Sequence, residues 1–213
     1  MSKIILDLCG GTGAWSKPYK EAGYEVKVIT LPDYDILNIR NNNLDNLLKI
    51  MKNKDNGFEW ELIPYEKIYG ILCAPPCTMF SLARQTAKTP RSFEIGMEIV
   101  IKCLDIIWKI RLKHQLKFWA LENPRGYLRQ FLGKSYFEFE QWEFGDNGIK
   151  PTDLWGYFNL PQKIVSVKPD TLYGNYKKKA TTQMNICISG LTRKESRAVT
   201  PENFAQAFYK ANK

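Results

Sequence analysis

The sequence predicts an α/β protein in which a mostly parallel, doubly wound sheet forms a single domain. Three observations support this class. Short apolar runs typical of buried strands alternate with helical patterns along the chain. Three of these runs end directly in a glycine turn or a proline-containing loop, where open sheets place their ligands. The length of 213 residues, 44% of them hydrophobic, suits one domain with a substantial core.

The chain opens as a strand–helix–strand unit. Residues 3–8 predict a buried strand, and a glycine turn over residues 10–13 follows it. The next pattern predicts a helix over residues 15–22 that Gly23 ends. Alternation of apolar and polar residues predicts a second strand over residues 24–31.

The later elements are predicted by the same criteria. Buried or alternating runs predict strands over residues 68–74, 117–121, 136–144 and 153–158. Apolar residues at helical spacing predict helices over residues 44–53 and 94–112. A last helix opens at Thr200-Pro201-Glu202, with Thr200 as N-cap and Pro201 at its first position. Residues 166–195 are polar and basic, and we predict a loop there.

Composition excludes several classes of protein. No apolar stretch of about 18 residues occurs, which excludes a membrane span, and the start lacks the apolar run of a signal peptide. The protein is therefore predicted to be cytoplasmic, in a bacterial or phage-infected cell. Five cysteines and a single histidine predict reduced thiols and no metal site.

The positive charge is concentrated at the carboxyl end. The whole chain carries a net charge of +9, of which residues 161–213 carry +7. This imbalance favours a polyanion as partner. The alternative is a solvated basic tail without a partner.

Three segments at predicted strand ends are candidates for chemistry. The glycine turn after Asp7 lets a ligand approach the backbone, and Asp33 and Asp35 beyond the second strand are candidates to hold a ribose. Cys77 follows two prolines and is a candidate nucleophile. Glu122 follows an apolar strand and is a candidate proton donor. Taken singly, each segment has a structural alternative: a turn without ligand, a structural cysteine, or a helix-capping acid.

Taken together and in this order, the three segments resemble the cytosine-C5 DNA methyltransferases. Asp7-Leu8-Cys9-Gly10-Gly11-Thr12-Gly13 is similar to the family's cofactor motif D-L-F-x-G-x-G, and Asp35-Ile36 to its adenine-contacting D-I. The segment Pro75–Ser81 is similar to P-P-C-Q-x-F-S, with Thr78 in place of glutamine, and Glu122–Pro124 matches E-N-P. Lys150–Gly156 resembles a K-P-T-D-x-W variant of small phage and prophage methylases, and Ser196–Asn212 resembles the family's closing helix. The resemblance covers roughly the whole chain.

The resemblance implies a Rossmann-like fold that transfers methyl groups from S-adenosylmethionine to C5 of cytosine in DNA. It implies Cys77 as nucleophile and Glu122 as the acid that acts on the base. The implied cofactor-binding residues are Asp7, Leu8, Cys9, Gly10, Gly11, Gly13, Trp15, Asp33, Asp35, Ile36 and Pro75. The implied or proposed substrate-binding residues are Pro76, Ser81, Arg84, Arg91, Asn123, Pro124, Lys150, Thr152, Lys177, Lys178 and Lys179.

The sequence also departs from the family pattern. The Q-x-R-x-R and R-x-L-T-x-R-E segments are missing, and the roughly 40 residues before the last helix are too few for a separate target-recognition domain. We therefore expect a short or degenerate target site, with Lys177, Lys178 and Lys179 on phosphates. Two alternatives stay open: methylation of cytosine in RNA by the same residues, and an inactive homologue that binds cofactor or DNA.

Overall fold

The computed structural model describes residues 3–42, 46–84, 87–146, 148–168 and 188–213. Its strands are β1 (Ile4–Leu8), β2 (Glu25–Ile29), β3 (Arg40–Asn42), β4 (Leu47–Lys54), β5 (Gly57–Pro64), β6 (Ile68–Cys73), β7 (Phe118–Pro124), β8 (Phe137–Phe139) and β9 (Thr152–Tyr157). Its helices are α1 (Lys17–Glu21), α2 (Phe93–Arg111), α3 (Leu128–Leu132), α4 (Arg193–Ala198) and α5 (Glu202–Asn212).

The main sheet has six described strands in the order β2-β1-β6-β7-β9-β8. The pairs from β2 to β7 are parallel, whereas β9 runs antiparallel to both β7 and β8. The predicted α/β class with a mostly parallel sheet is confirmed, and the arrangement is compatible with a Rossmann-like fold. A second, antiparallel sheet has the order β3-β4-β5.

Helices cover both faces of the main sheet. Successive strand residues point to opposite faces, and β1 is buried along its whole length. Leu6 packs in a core with α2 and the smaller sheet. Ile5 packs in a second core with Tyr19 of α1 and the aromatic face of α5, including Phe208. Burial on both faces explains why β1, β6 and β7 are continuous apolar runs rather than alternating ones.

The predicted helix over residues 44–53 is wrong, because β4 occupies residues 47–54. Leu48 and Ile50 are buried and alternate with less buried residues, which is the period of a strand. β4 pairs with β5 through a two-residue loop, and Gly57 closes it with a φ of 133°. The spacing of the apolar residues fits a helix equally well, but pairing with β5 stabilises the strand.

Several predicted boundaries also change. Helix α1 is shorter than the predicted residues 15–22, and residues 141–144 form a 3-10 turn instead of continuing β8. Helix α4 replaces part of the predicted loop, because Thr192 and Glu195 form a capping box at its start. The last helix begins at Glu202 with Pro201 as N-cap, so Thr200 is not the cap. Among the described residues, no helix is long and apolar enough to cross a bilayer.

Candidate active site

The candidate residues gather at the carboxyl edge of the main sheet. β1, β6 and β7 are parallel neighbours, so the loops that follow them emerge at one edge. β9 runs the opposite way, with Thr152 paired to Pro124, and therefore begins at this same edge. Topology thus brings together the glycine turn, the loop of Cys77, Glu122 and the segment that precedes β9.

The loops after β6 and β7 are tied to each other. The buried side chain of Asn123 donates from Nδ2 to the carbonyl oxygen of Pro75 at 2.9 Å. The backbone N–H of Tyr127 donates to the carbonyl oxygen of Phe80 at 2.9 Å. Ser81 and Gly126 form an antiparallel bridge, where any Cβ on Gly126 would overlap the Phe80 carbonyl. The loop that carries Cys77 is therefore fixed relative to Glu122.

Cys77 shares this edge with an ion pair. Lys150 Nζ lies 3.7 Å from Glu122 Oε1, and the two side chains are only 20% and 15% exposed. Burial raises the pKa of the half-buried Cys77 thiol, and the nearby Glu122 carboxylate raises it further. Lys150 and Arg197 oppose this change and favour the thiolate. The thiol therefore stays protonated at neutral pH, and its charge responds to three neighbouring side chains.

Arg197 is a further charge near Cys77 that the sequence alone did not single out. It lies on α4 and acts electrostatically on Cys77 from more than one hundred residues away in the chain. The capping box of Thr192 and Glu195 was the available signal. It predicts a helix at this point, but not which loop the helix faces.

The predicted phosphate-binding arginines stabilise the Cys77 loop itself. Arg91 donates from Nη1 to the carbonyl oxygens of Met79 and Ser81 at 2.7 and 3.0 Å, and its guanidinium lies 4.8 Å from the ring centre of Tyr127. Arg84 donates from Nη2 to the carbonyl oxygens of Thr89 and Pro90. Both guanidinium groups are thus engaged with the loop in this conformation.

Residues 150–153, just before and at the start of β9, differ in what their side chains contact. Thr152 is buried, and its hydroxyl donates to the carbonyl oxygen of Lys150 at 2.9 Å. Asp153 is buried and pairs with Arg129 of α3 through both carboxylate oxygens. Lys150 is therefore the charged residue of this stretch whose side chain pairs with Glu122. Pro76 is exposed beside Cys77, and Pro124 is half-buried at the end of β7.

The glycine turn curls around a buried acid. Cys9, Gly11 and Gly13 have φ values of 58°, 55° and 72°, so the backbone turns left-handed at three of five positions. Asp7 is fully buried; Ser16 Oγ donates to its Oδ2 at 2.5 Å, and its Oδ1 has no partner among the described residues. A Cβ on Gly10 would overlap this carboxyl. Glycine is required there because the turn packs directly on Asp7.

Asp7 should make the free energy of unfolding depend on pH. Burial raises its pKa to about 6, so between about pH 4 and 6 the unfolded chain releases this proton while the folded protein keeps it. At about 1.4 kcal/mol per pH unit, the wild type should lose about 2–3 kcal/mol of its free energy of unfolding by neutral pH. Asp7→Asn does not titrate and should avoid this loss.

Urea unfolding from pH 4 to 7 measures the free energy of unfolding of both proteins, with exposed Asp33→Asn as control. If the free energies of wild type and Asp7→Asn change equally with pH, the raised pKa of Asp7 is contradicted.

Gly11 is the cleaner probe of cofactor binding at the turn. A Cβ there would meet nothing within 4 Å, whereas a Cβ on Gly13 would lie 3.1 Å from the half-buried Val28 side chain. Gly11→Val should therefore fold, at a cost of about 1–2 kcal/mol for its positive φ. If the turn holds S-adenosylmethionine, as the motif resemblance implies, this variant should bind it about tenfold more weakly in calorimetry. Gly133→Val is the matched control, since Gly133 has a φ of 75° and equally open surroundings. Equal cofactor affinity in both variants would exclude the turn as the binding site.

The other predicted cofactor residues divide into accessible and buried ones. Asp33 is exposed, and one carboxylate oxygen of Asp35 accepts from Leu37 N at 2.9 Å. Leu8, Ile36 and Pro75 are buried. Trp15 packs against the rings of Phe204 and Phe208, so its indole belongs to the aromatic core.

Lys177, Lys178 and Lys179 lie outside the described residues. Among the residues that are described, no three His, Cys, Asp or Glu side chains are grouped to hold a metal ion. Comparison with protein-family models finds none that matches this chain, and comparison with curated proteins finds no significant match.

Proposed function

We propose that the protein transfers a methyl group from S-adenosylmethionine to C5 of cytosine in DNA. The observation that carries this proposal is the joining of the Cys77 loop to the Glu122 loop, with Lys150 closing the group from a third segment. A nucleophile and an acid held at a fixed separation suit addition to an electron-poor ring. The motif resemblance supplies the substrate class.

Cys77 acts as the nucleophile. The thiol first gives up its proton to water. The resulting thiolate adds to C6 of the base, and the electron pair of the C5–C6 bond becomes available at C5. C5 would then take the methyl group of S-adenosylmethionine, whose sulfur keeps the bonding electron pair and leaves as S-adenosylhomocysteine. The C5 proton leaves to water and the Cys77–C6 bond breaks, which restores both the aromatic ring and the thiolate. Lys150 and Arg197 support the first step because they favour the ionised sulfur.

Glu122 holds the other side of the base. When the base displaces Lys150, the Glu122 carboxylate takes a proton from solvent, and the resulting carboxyl donates to N3 of cytosine and stabilises the negative charge that develops when the sulfur adds. Lys150 lies against the same carboxylate in the free protein. Binding of a base would therefore exchange the Glu122–Lys150 ion pair for contacts to the base, leaving Lys150 beside the Cys77 sulfur.

The residues of the glycine turn fit the cofactor. The turn is left-handed and carries an open, exposed position at Gly11, with the carboxylates of Asp33 and Asp35 following the neighbouring strand. These carboxylates would accept from ribose hydroxyls, as acids after the second strand do in such folds. S-adenosylmethionine supplies the electrophilic methyl group.

A substrate panel tests the proposal. Protein is incubated with S-adenosylmethionine labelled in its methyl group and with duplex DNA, single-stranded DNA or tRNA, and labelled nucleosides are then identified. We expect label in 5-methylcytosine of DNA, at a short site that bisulfite sequencing maps. Label confined to tRNA would replace the DNA proposal with the RNA alternative, and label in none of the three would contradict methyl transfer.

A further inference from the structure

A basic trough lies at the edge of the main sheet opposite the candidate active site. Lys3, Lys67 and Lys117 each directly precede one of three adjacent parallel strands, β1, β6 and β7. Because parallel strands begin at one edge, the three lysines lie along that edge, with Lys117 level with Tyr69 and not with Lys67. They are called the lysine row below. They line a cavity of about 790 Å³ together with His114.

The charge of this row is not balanced locally. Glu66 is the one acidic residue among the cavity's described lining. None of the three lysines forms an ion pair with a residue that the structure describes, and Lys3 Nζ instead lies 4.3 Å from the ring centre of Tyr69. Neighbouring cations without counter-charges favour binding of an anion.

Exposed aromatic rings stand along the same edge. β9 ends here because it runs antiparallel to β7, and its Tyr157 is 60% exposed. Tyr136 is also exposed and contacts Phe158 edge-on. The guanidinium of Arg111 lies 5.6 Å from the ring centre of Tyr157 and 4.8 Å from that of Trp108. Large exposed rings beside cations are the platform on which unpaired bases stack.

The shape of the basic trough favours a nucleic-acid strand over a single nucleotide as its ligand. A second concavity of about 510 Å³, lined by Arg111 and Lys113, shares His114, Gln115, Leu116 and Tyr157 with the first. The two therefore form one continuous trough with cations along its length. Paired bases in a duplex have no free faces for Tyr136 and Tyr157 to stack on.

We propose that this basic trough binds single-stranded nucleic acid, with the lysine row on phosphates and the tyrosines on bases. The site is separate from the candidate active site, since it lies at the amino ends of the strands whose carboxyl ends carry Cys77 and Glu122. Binding requires neither cofactor nor methyl transfer, so it can be tested whatever the outcome for the proposed function.

The lysine row is tested by charge-matched variants. Fluorescently labelled DNA and RNA strands of about 12 nucleotides are titrated and binding is followed by anisotropy. Lys67→Gln/Lys117→Gln should weaken binding and reduce the slope of log K against log salt by about 0.7 for each phosphate that the protein no longer neutralises. Lys52→Gln/Lys54→Gln in the β4–β5 hairpin removes the same charge and should change neither quantity. Equal effects of the two double variants would overturn the proposal.

The tyrosine platform is tested by exposure-matched variants. Tyr157→Ala should weaken single-strand binding about fivefold or more. Phe58→Ala is the control, because Phe58 is also 60% exposed but lies on β5 outside the trough. Tighter binding of either DNA or RNA supports the site and identifies the strand it takes. Unchanged affinity of Tyr157→Ala, or displacement by duplex DNA at the same concentration as by unlabelled single strand, would overturn the assignment.

Discussion

Cys77→Ala should lower the rate of methyl transfer by about 10⁴-fold or more while leaving S-adenosylmethionine affinity unchanged. The rate falls because no other described thiol lies against the Glu122–Lys150 pair, and removal of a covalent nucleophile has effects of this size. Single-turnover transfer of labelled methyl groups measures the rate, and calorimetry measures cofactor affinity.

The control for this substitution is Cys103→Ala. It removes a sulfur from the core of α2 and should retain the methyl-transfer rate per folded molecule. A 5-fluorocytosine substrate should form a covalent adduct with the wild type and not with Cys77→Ala, since fluorine cannot leave C5 as a proton does. Comparable turnover in Cys77→Ala would exclude the covalent mechanism.

The wild-type reaction should also accelerate as pH rises. Burial and the Glu122 carboxylate raise the pKa of Cys77 above its ordinary value of about 8.5. Below that pKa, the thiolate fraction grows about tenfold for each pH unit. If sulfur addition limits the rate, single-turnover rates from pH 7 to 8 should follow this increase.

Glu122→Gln should have two effects of opposite direction. Methyl transfer should fall by about 10²–10⁴-fold, the range for loss of a positioned acid. Alkylation of Cys77 by iodoacetamide in the free protein should become faster near pH 8, because Glu122 raises the pKa of the thiol and the substitution removes that charge. A residue with only a structural role would not raise the reactivity of the sulfur while lowering catalysis.

Glu98→Gln provides the matched control for Glu122→Gln. Glu98 is exposed on α2, and its substitution should change neither alkylation nor methyl transfer. S-adenosylmethionine affinity should also be unchanged in Glu122→Gln, because Glu122 follows a different strand from the glycine turn. A large loss of cofactor affinity would move Glu122 into the cofactor site and contradict its assignment to the base.

Elements with strong local signals could be predicted from the sequence. β1 with its glycine turn, β6 with its two prolines, and β7 with Glu122 were predicted to within a few residues, because a strand buried on both faces is a continuous apolar run. The long pattern of α2 was predicted to within one residue at each end. The same elements predicted that Cys77 and Glu122 each follow the end of a buried strand, where open sheets place their ligands.

Elements that depend on a partner could not be predicted in this way. Residues 47–54 became a strand because β5 pairs with them, and their apolar spacing alone does not distinguish a hairpin from a helix. Arg84 and Arg91 were expected to face phosphates. The fold also places carbonyl oxygens of their own loop within reach of both, which the sequence did not predict.

The sequence by itself determined the class of the sheet and the two side chains proposed to act on the base. Only the tertiary structure decided what surrounds them. The antiparallel direction of β9 brings Lys150 to Glu122 and leaves Tyr157 at the opposite edge, and α4 brings Arg197 towards Cys77. The physical reason is that buried strands and loop residues can be identified from residues close together in the sequence. Strand direction and helix docking depend instead on contacts between residues far apart in the chain.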